Sequence, residues 1–261
     1  MASGRLLLVT GYAEGPVNAP PNTQRLLYTE YDPTTDQIIR TQDQLFTPGD
    51  FGARINGITE ASDGKILLNL WLPNVPNRHY LLKTERDGSV LWQTQVSSLE
   101  RPVTAIVPTD DGGVWYLVPA FNIVSRLDAN GDLAASFDIG AFQNGIMGPA
   151  EILGLVAAPN SACLVLGTAR PGGQASTLFS ALVAADGSTQ ESHLLDVPEP
   201  LPSRLVGRAL GSDGFLVTGR TGDVFFDPTI PYLLRLDAAG NYQQPPSDFI
   251  DLSLRATGSV P

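Results

Sequence analysis

The sequence predicts an all-β fold built from five similar units, each of four antiparallel strands. Three observations support this prediction. Short apolar runs alternate with turn sequences along all 261 residues, which is typical of strands joined by tight turns. The turn sequences recur with a period of about 50 residues, which indicates a repeat fold. The amino-terminal unit is incomplete, and a suitable strand sequence lies at the other end of the chain.

Two turn sequences mark each unit, and apolar runs flank both of them. Asn-Gly or Asp-Gly between apolar runs predicts a hairpin with a type I′ turn, because both central residues of that turn have positive φ. The first turn of the unit occurs at Asp63-Gly64, Asp111-Gly112, Pro159-Asn160 and Asp213-Gly214. The second occurs at Asp87-Gly88, Asn130-Gly131, Asp186-Gly187 and Ala239-Gly240.

Near-copies of short segments give the number of units. Arg126-Leu127-Asp128-Ala129 recurs as Arg235-Leu236-Asp237-Ala238. Leu8-Val9-Thr10-Gly11 recurs as Leu216-Val217-Thr218-Gly219, a separation of about four periods of about 52 residues. Five units of this length account for the whole chain.

The position of the missing strand predicts how the repeat closes. Internal units begin with an alternating segment before their first turn, as at 102–107, 151–156 and 204–209. The amino-terminal unit lacks this segment, whereas Ile250–Ala256 alternates apolar and polar residues at the carboxyl end. Pairing of Ile250–Ala256 with Leu6–Thr10 would complete the first unit and leave no open sheet edge. The sequence therefore predicts one domain over residues 1–261, a five-bladed β-propeller of four-stranded antiparallel blades.

Several segments resemble a known repeat family, the delta-60 type of β-propeller repeat. The resemblance rests on Asp63-Gly64-Lys65-Ile66-Leu67-Leu68, on Arg126-Leu127-Asp128-Ala129-Asn130-Gly131 with Ser136-Phe137, and on Leu234-Arg235-Leu236-Asp237-Ala238-Ala239-Gly240. It implies the propeller fold. It implies no activity, because one fold hosts many functions.

Composition excludes several classes of partner. The formal net charge is -11, so the surface should repel nucleic acid and anionic lipid, and neither nucleic-acid binding nor membrane insertion is expected. The apolar run Leu6–Val9 is too short for a signal peptide or a membrane span. We expect synthesis in the cytoplasm, unless the chain is exported or is packaged into a larger assembly such as a virion. The single cysteine, Cys163, can form no intrachain disulfide and is expected to be buried and inert.

Motifs for catalysis or for metal and cofactor binding are not found. The sequence has no G-x-S-x-G elbow, P-loop or H-E-x-x-H pattern, although a triad assembled from distant blades stays open. The two histidines, His79 and His193, lie in different units without a neighbouring cysteine, and each is expected to be hydrogen-bonded or on the surface. The segment Asp128–Asp132 lacks the glycine and the glutamate of a calcium loop. No enzyme activity, metal or cofactor is therefore predicted.

Long connections at one end of the blades form the predicted binding surface, since binding residues concentrate on loops of a rigid scaffold. An interaction patch is predicted from six residues of the first and last blades: Tyr12, Asp223, Phe225, Phe226, Asp227 and Tyr232. Alternatively, Phe225-Phe226 folds back over the channel mouth. The channel is predicted to carry Arg54, Arg208 and Arg255, which could hold an anion or could form surface salt bridges.

Three functions are weighed at this point. A non-enzymatic structural or interaction module with protein partners is favoured, for example a capsid decoration or tail protein of a bacteriophage. A lectin-like module could bind glycans through aromatic side chains such as Trp71, although Trp71, Trp92 and Trp115 are otherwise expected in the core. A hydrolase or lyase would use the channel arginines to bind an anion.

Overall fold

A computed structural model describes residues 4–14, 23–45, 54–72, 78–97, 103–118, 122–138, 150–171, 175–197, 201–221 and 231–243. Over these ranges the chain forms five sheets in which consecutive strands are neighbours. The predicted all-β architecture of four-stranded antiparallel sheets is confirmed. In the same ranges no helix is both long enough and apolar enough to cross a membrane.

The strands alternate with short turns throughout. The first sheet contains β1 (Leu6–Glu14), β2 (Thr23–Asp32) and β3 (Gln37–Leu45). The second contains β4 (Arg54–Glu60), β5 (Ile66–Leu72), β6 (Arg78–Thr84) and β7 (Val90–Ser97). The third contains β8 (Ala105–Pro108), β9 (Val114–Val118), β10 (Ile123–Leu127) and β11 (Leu133–Asp138). The fourth contains β12 (Ala150–Ala157), β13 (Cys163–Ala169), β14 (Thr177–Val183) and β15 (Thr189–Leu195). The fifth contains β16 (Pro202–Ala209), β17 (Phe215–Thr221), β18 (Pro231–Leu236) and β19 (Tyr242–Gln243).

The chain divides into two compact units. One comprises residues 1–120 and 127–134, and the other comprises residues 121–126 and 135–261. The first and second sheets belong to the first unit, and the fourth and fifth sheets belong to the second. The extent of a single domain over residues 1–261 stays a prediction.

The turns lie where the sequence predicts them, but most differ in type. At the first turn of the second sheet, the Gly64 amide donates to the Ala61 carbonyl and the Ala61 amide donates to the Lys65 carbonyl. Gly64 has a φ of 76° and Asp63 is not among the residues with positive φ, which is a type I turn followed by a glycine bulge. The predicted type I′ geometry is wrong here because a three-residue loop needs positive φ at the glycine alone. Positive φ at both central residues, as in a type I′ turn, is found at Asn160 and Ser161, which both have a φ of 59°.

The second sheet is buried on both faces. Successive residues of a strand point to opposite faces, and β5 is apolar at nearly every position, as expected for a strand covered on both sides. On one face it packs with the first sheet through Leu26, Tyr28, Ile66, Leu68, Leu70, Tyr80 and Leu82. On the other face it packs with part of the third sheet through Leu67, Leu81, Val103, Val114, Tyr116, Val118 and Leu127.

The fourth and fifth sheets share the core of the second unit. Its buried members include Leu164, Leu166, Leu178, Leu195, Leu205, Phe215, Val217, Leu234 and Leu236. Backbone contact is close where β12 meets β16, since a Cβ added to Gly154 would clash with the Leu205 carbonyl oxygen. One face of the fifth sheet is therefore buried in this core.

A buried carboxylate is surrounded by arginines in the first unit. Glu30 on β2 is 8% exposed. Its carboxylate oxygens lie 3.9 Å from Arg5, 3.6 Å from Arg40 and 3.7 Å from Arg86. The three guanidinium groups compensate the buried charge, and Arg86 links the first sheet to a turn of the second.

The first sheet has three strands among the described residues. Leu6–Thr10 forms the start of β1, as predicted, and β1 pairs with β2 throughout its length. Its predicted second partner, Ile250–Ala256, lies outside the described residues. Leu6 and Leu8 of β1 are each 60% exposed.

Candidate functional site

Three chemically distinct side chains form a row across the second sheet, at the end where β4 and β6 begin and β5 finishes. Arg54 of β4 pairs in register with Trp71 of β5, and Trp71 pairs with His79 of β6. Directly opposite residues of antiparallel strands present their side chains on the same face. Arg54, Trp71 and His79 therefore lie side by side and are called the Arg54 row below.

The row extends the apolar core to the edge of the sheet. Leu67 and Leu81 lie on the same face of β5 and β6, and both are buried. Arg54 is exposed at the start of β4, where exposed residues alternate with partly buried ones. The row therefore joins the core to solvent within one sheet.

Arg54 is held by an aromatic ring, and none of the described acidic residues is its partner. Its Cζ atom lies 5.3 Å from the centroid of the Trp71 ring, which is a cation–π contact. No described acid forms an ion pair with Arg54, although the chain has 27 acidic residues and 16 basic ones. The ring covers one face of the guanidinium group, whereas the N–H donors point outward in the guanidinium plane. Arg54 is therefore available to an anion from solvent.

His79 completes the row as a buried, unpaired imidazole. It is 0% exposed and stacks on Trp71 with ring centroids 6.2 Å apart and an interplanar angle of 5°. Neither ring nitrogen has a hydrogen-bond partner in the described part of the chain, and Nε1 of Trp71 is also buried without one. The prediction that His79 is hydrogen-bonded or on the surface is wrong, because its strand position places it on the core face.

Burial also sets the charge of the row. Removal from water lowers the pKa of His79 below its ordinary value, because burial disfavours the charged imidazolium. The imidazole is neutral at pH 7, so Arg54 supplies the positive charge of the row. The three unpaired nitrogens of Trp71 and His79 are unusual, since buried polar groups are nearly always hydrogen-bonded.

The predicted site residues are distributed as follows. Tyr12 lies in β1 and Tyr232 in β18, while Arg208 is exposed in β16. Four of the six patch residues and one channel arginine lie outside the described residues: Asp223, Phe225, Phe226, Asp227 and Arg255. The interaction patch and the channel stay predictions. The structure places Arg54 beside Trp71 and Trp71 beside His79. The position of His79 follows from the register in which β5 and β6 pair.

Comparison with known proteins gives similarity of structure but not of sequence. No family model and no curated protein matches the chain. A protein of unknown function from Bacteroides caccae is 15% identical, with a TM-score of 0.48 and coverage of 92% of both chains. Streptogramin B lyase is 10% identical, with a TM-score of 0.38 and coverage of 90% of this chain and 89% of the other. Virginiamycin B lyase from Staphylococcus aureus is 12% identical, with a TM-score of 0.38 and coverage of 90% and 91%.

The similar structures have propeller-like folds. At these identities the likeness concerns fold alone, and the resemblance to delta-60 repeats stays a prediction. The predicted function, a non-enzymatic structural module such as a virion component, is corrected by these comparisons. The structures similar to this chain include lyases, and a virion protein is not among those described above. The prediction of a structural module combined the absence of catalytic motifs with the acidic composition, one loop-rich face and the lack of an export signal, and an activity built from separate strands leaves no motif in a sequence.

Proposed function

We propose that the Arg54 row binds a small carboxylate. The observation that supports this most is an exposed guanidinium group held against Trp71, without an acidic partner among the described residues. Carboxylates match the planar fork of arginine and form two parallel, charge-assisted hydrogen bonds with it. In a chain with an excess of acidic residues, an arginine that pairs with none of the described acids favours a ligand that supplies the negative charge.

The other members of the row define the rest of the ligand. Trp71 is partly exposed and offers an apolar wall beside the charge, which favours a carboxylate attached to an aromatic or aliphatic group. His79 is neutral and does not repel a cationic neighbour or attract a second anion. The ligand in this proposal is thus a monoanion with an apolar body.

Calorimetric titration with benzoate tests the proposal, with benzamide as the uncharged control ligand. We expect benzoate to bind and benzamide not to bind. Arg54→Gln should weaken benzoate binding by about tenfold or more, because one charge-assisted hydrogen-bonding group is lost. The matched control is Arg25→Gln, since Arg25 is already paired with Asp43 at 2.8 Å and its loss should leave benzoate affinity unchanged. Equal affinity of the Arg54→Gln variant and the unmodified chain would refute the proposal.

We also propose that Ile250–Ala256 is the fourth strand of the first sheet, so that the five sheets are the blades of a closed propeller. The first sheet has one described strand fewer than the others. Leu6 and Leu8 of β1 are exposed, whereas residues 66–70 of β5 are buried. In the full chain, Leu252→Pro should accelerate amide hydrogen exchange over Leu6–Thr10, because proline removes a ladder donor. Val260→Pro is the control, and unchanged exchange in Leu252→Pro would contradict the pairing.

A further inference from the structure

The second sheet ends in an edge strand, β7. The strands of this sheet follow the order β4-β5-β6-β7, and β4 contacts β1 and β8 of the neighbouring sheets. β7 therefore lies at the opposite edge, where β6 is its one hydrogen-bonded neighbour among the described strands. An edge strand presents a row of backbone N–H and C=O groups with which another strand can pair. Closure of the propeller would leave this edge as it is, because the first and third sheets already pack on the two faces of the second.

β7 lacks the charges that normally protect an edge strand from pairing. Its eight residues, Val90–Ser97, include no charged residue, proline or glycine. Val90 and Leu91, at its start, are 49% and 47% exposed. The last strands of the first, third and fourth sheets do carry charges, namely Arg40, Asp43, Asp138 and Glu191. An uncharged edge with exposed apolar residues, in a chain of net charge -11, therefore indicates a contact surface.

The order of residues along β7 is symmetric about Thr94. The segment Trp92-Gln93-Thr94-Gln95-Val96 reads apolar, glutamine, threonine, glutamine, apolar in both directions. A twofold interface brings the same strand to both sides, and an antiparallel pair of identical strands can place one residue opposite its own copy. With Thr94 at that position, Gln93 lies opposite Gln95 and Trp92 lies opposite Val96, each pair occurring twice. Threonine pairs and pairs of an aromatic with a β-branched residue are favourable across antiparallel strands.

The side chains on both faces of β7 are held in place within one copy. Gln93 and Gln95 pair in register with residues of β6 that belong to the core shared with the first sheet. On the other face, Nε1 of Trp92 donates to the Ala129 carbonyl at 2.8 Å, and Oγ1 of Thr94 donates to the Gly131 carbonyl at 2.7 Å. Side chains that are already ordered lose little freedom when a second strand is added.

We propose that the β7 edges of two copies of this chain pair antiparallel about Thr94 and form a homodimer. The occupant of the edge is a second copy because the strand complements itself and has no charge that would attract an oppositely charged partner. Elsewhere the copies repel each other, since each has a net charge of -11. One strand pair buries less area than a standard interface, so we expect a weak dimer with a dissociation constant on the order of 10 µM.

Sedimentation velocity of the full chain at increasing concentration tests the proposal. The native chain should shift from monomer to dimer, and added NaCl should strengthen the shift because salt screens the repulsion between copies. The double variant Gln93→Lys, Gln95→Lys should weaken dimerisation by about tenfold or more, because it places lysines directly opposite each other. The lysines also make the chain less acidic and reduce the general repulsion, so a loss of dimer arises at the edge itself. Gln190→Lys, at an exposed position of β15, is the matched control, and Arg54→Gln should dimerise normally because Arg54 lies on β4.

A charge exchange distinguishes lost pairing from lost folding. The double variant Gln93→Glu, Gln95→Glu should also be monomeric. Mixing it with the lysine variant should restore dimers, because each lysine then faces a glutamate. A native chain that stays monomeric at all concentrations, dimerisation that weakens with salt, a lysine variant that dimerises like the native chain, or a mixture that stays monomeric would each overturn the proposal.

Discussion

Replacing His79 with leucine should stabilise the protein, because the native imidazole is buried without a hydrogen bond. An unpaired buried polar group costs about 1–3 kcal/mol, and both ring nitrogens of His79 are in this state. Leucine is apolar and similar in size, so the cavity term is small. The stacking contact with Trp71 would be lost, at about 0.5–1.5 kcal/mol. The expected net gain in the free energy of unfolding is about 1–2 kcal/mol at pH 7 to 8.

The gain should increase on acidification. Burial lowers the pKa of His79 in the folded state, whereas the unfolded chain titrates near the ordinary value of about 6.5. Below pH 6.5 the unfolded state binds a proton that the folded state does not, so protonation favours unfolding. The native protein should lose up to about 1.4 kcal/mol per pH unit from pH 6.5 down to the folded pKa. Above pH 7 this contribution of the neutral imidazole is fully retained.

Urea unfolding at four pH values between 5 and 8 measures both effects. The difference in unfolding free energy between His79→Leu and the native chain should be positive at pH 8 and should grow towards pH 5. His193→Gln is the control for the second histidine, which is partly exposed and close to Glu191. A His79→Leu variant that is less stable than the native chain at pH 8, or a difference that does not vary with pH, would refute the reasoning.

Three further predictions concern the packing of both units. Glu30→Gln should lower the unfolding free energy by about 2 kcal/mol, because three partly exposed arginines lose their shared carboxylate. In thermal melts, added sulfate should restore part of the lost stability. A melting temperature that Glu30→Gln leaves unchanged would contradict the prediction. The Cys163 thiol should not react with a thiol reagent in the native protein at pH 8, because burial raises its pKa to about 12. It should react in denaturant, and fast labelling of the native protein would contradict the prediction. Gly154→Ala should lower the free energy of urea unfolding by about 2 kcal/mol or more, since the new Cβ meets the Leu205 carbonyl. An unchanged unfolding free energy would show that β12 and β16 can separate.

Strand positions could be predicted from the sequence because tight turns and apolar runs are local signals. Asp63-Gly64 and Asp87-Gly88 delimit β5 and β6 in the sequence, and the structure has a hairpin turn at each. The turn type was not determined by the same signal. One residue of loop length separates a type I′ turn from a type I turn with a glycine bulge, and that length depends on the register of the paired strands.

The Arg54 row could not be predicted because it depends on register across three strands. Arg54 was expected in a channel, Trp71 in the core and His79 on the surface or in a hydrogen bond. Those expectations treat each residue alone. Pairing β4, β5 and β6 in register places all three on one face, and pairing distances between strands are a property of the folded sheet rather than of any local motif.

The Arg54 row runs against the stability of the fold. Within the described part of the chain, three buried nitrogens of the row have no hydrogen-bond partner. Apolar side chains at these positions would fit the alternation of the strands and cost less. Departures from local consistency in an otherwise consistent fold are expected where binding requires them. This is why the Arg54 row is a better candidate for function than the buried core around β13, where sequence pattern and packing agree at nearly every position.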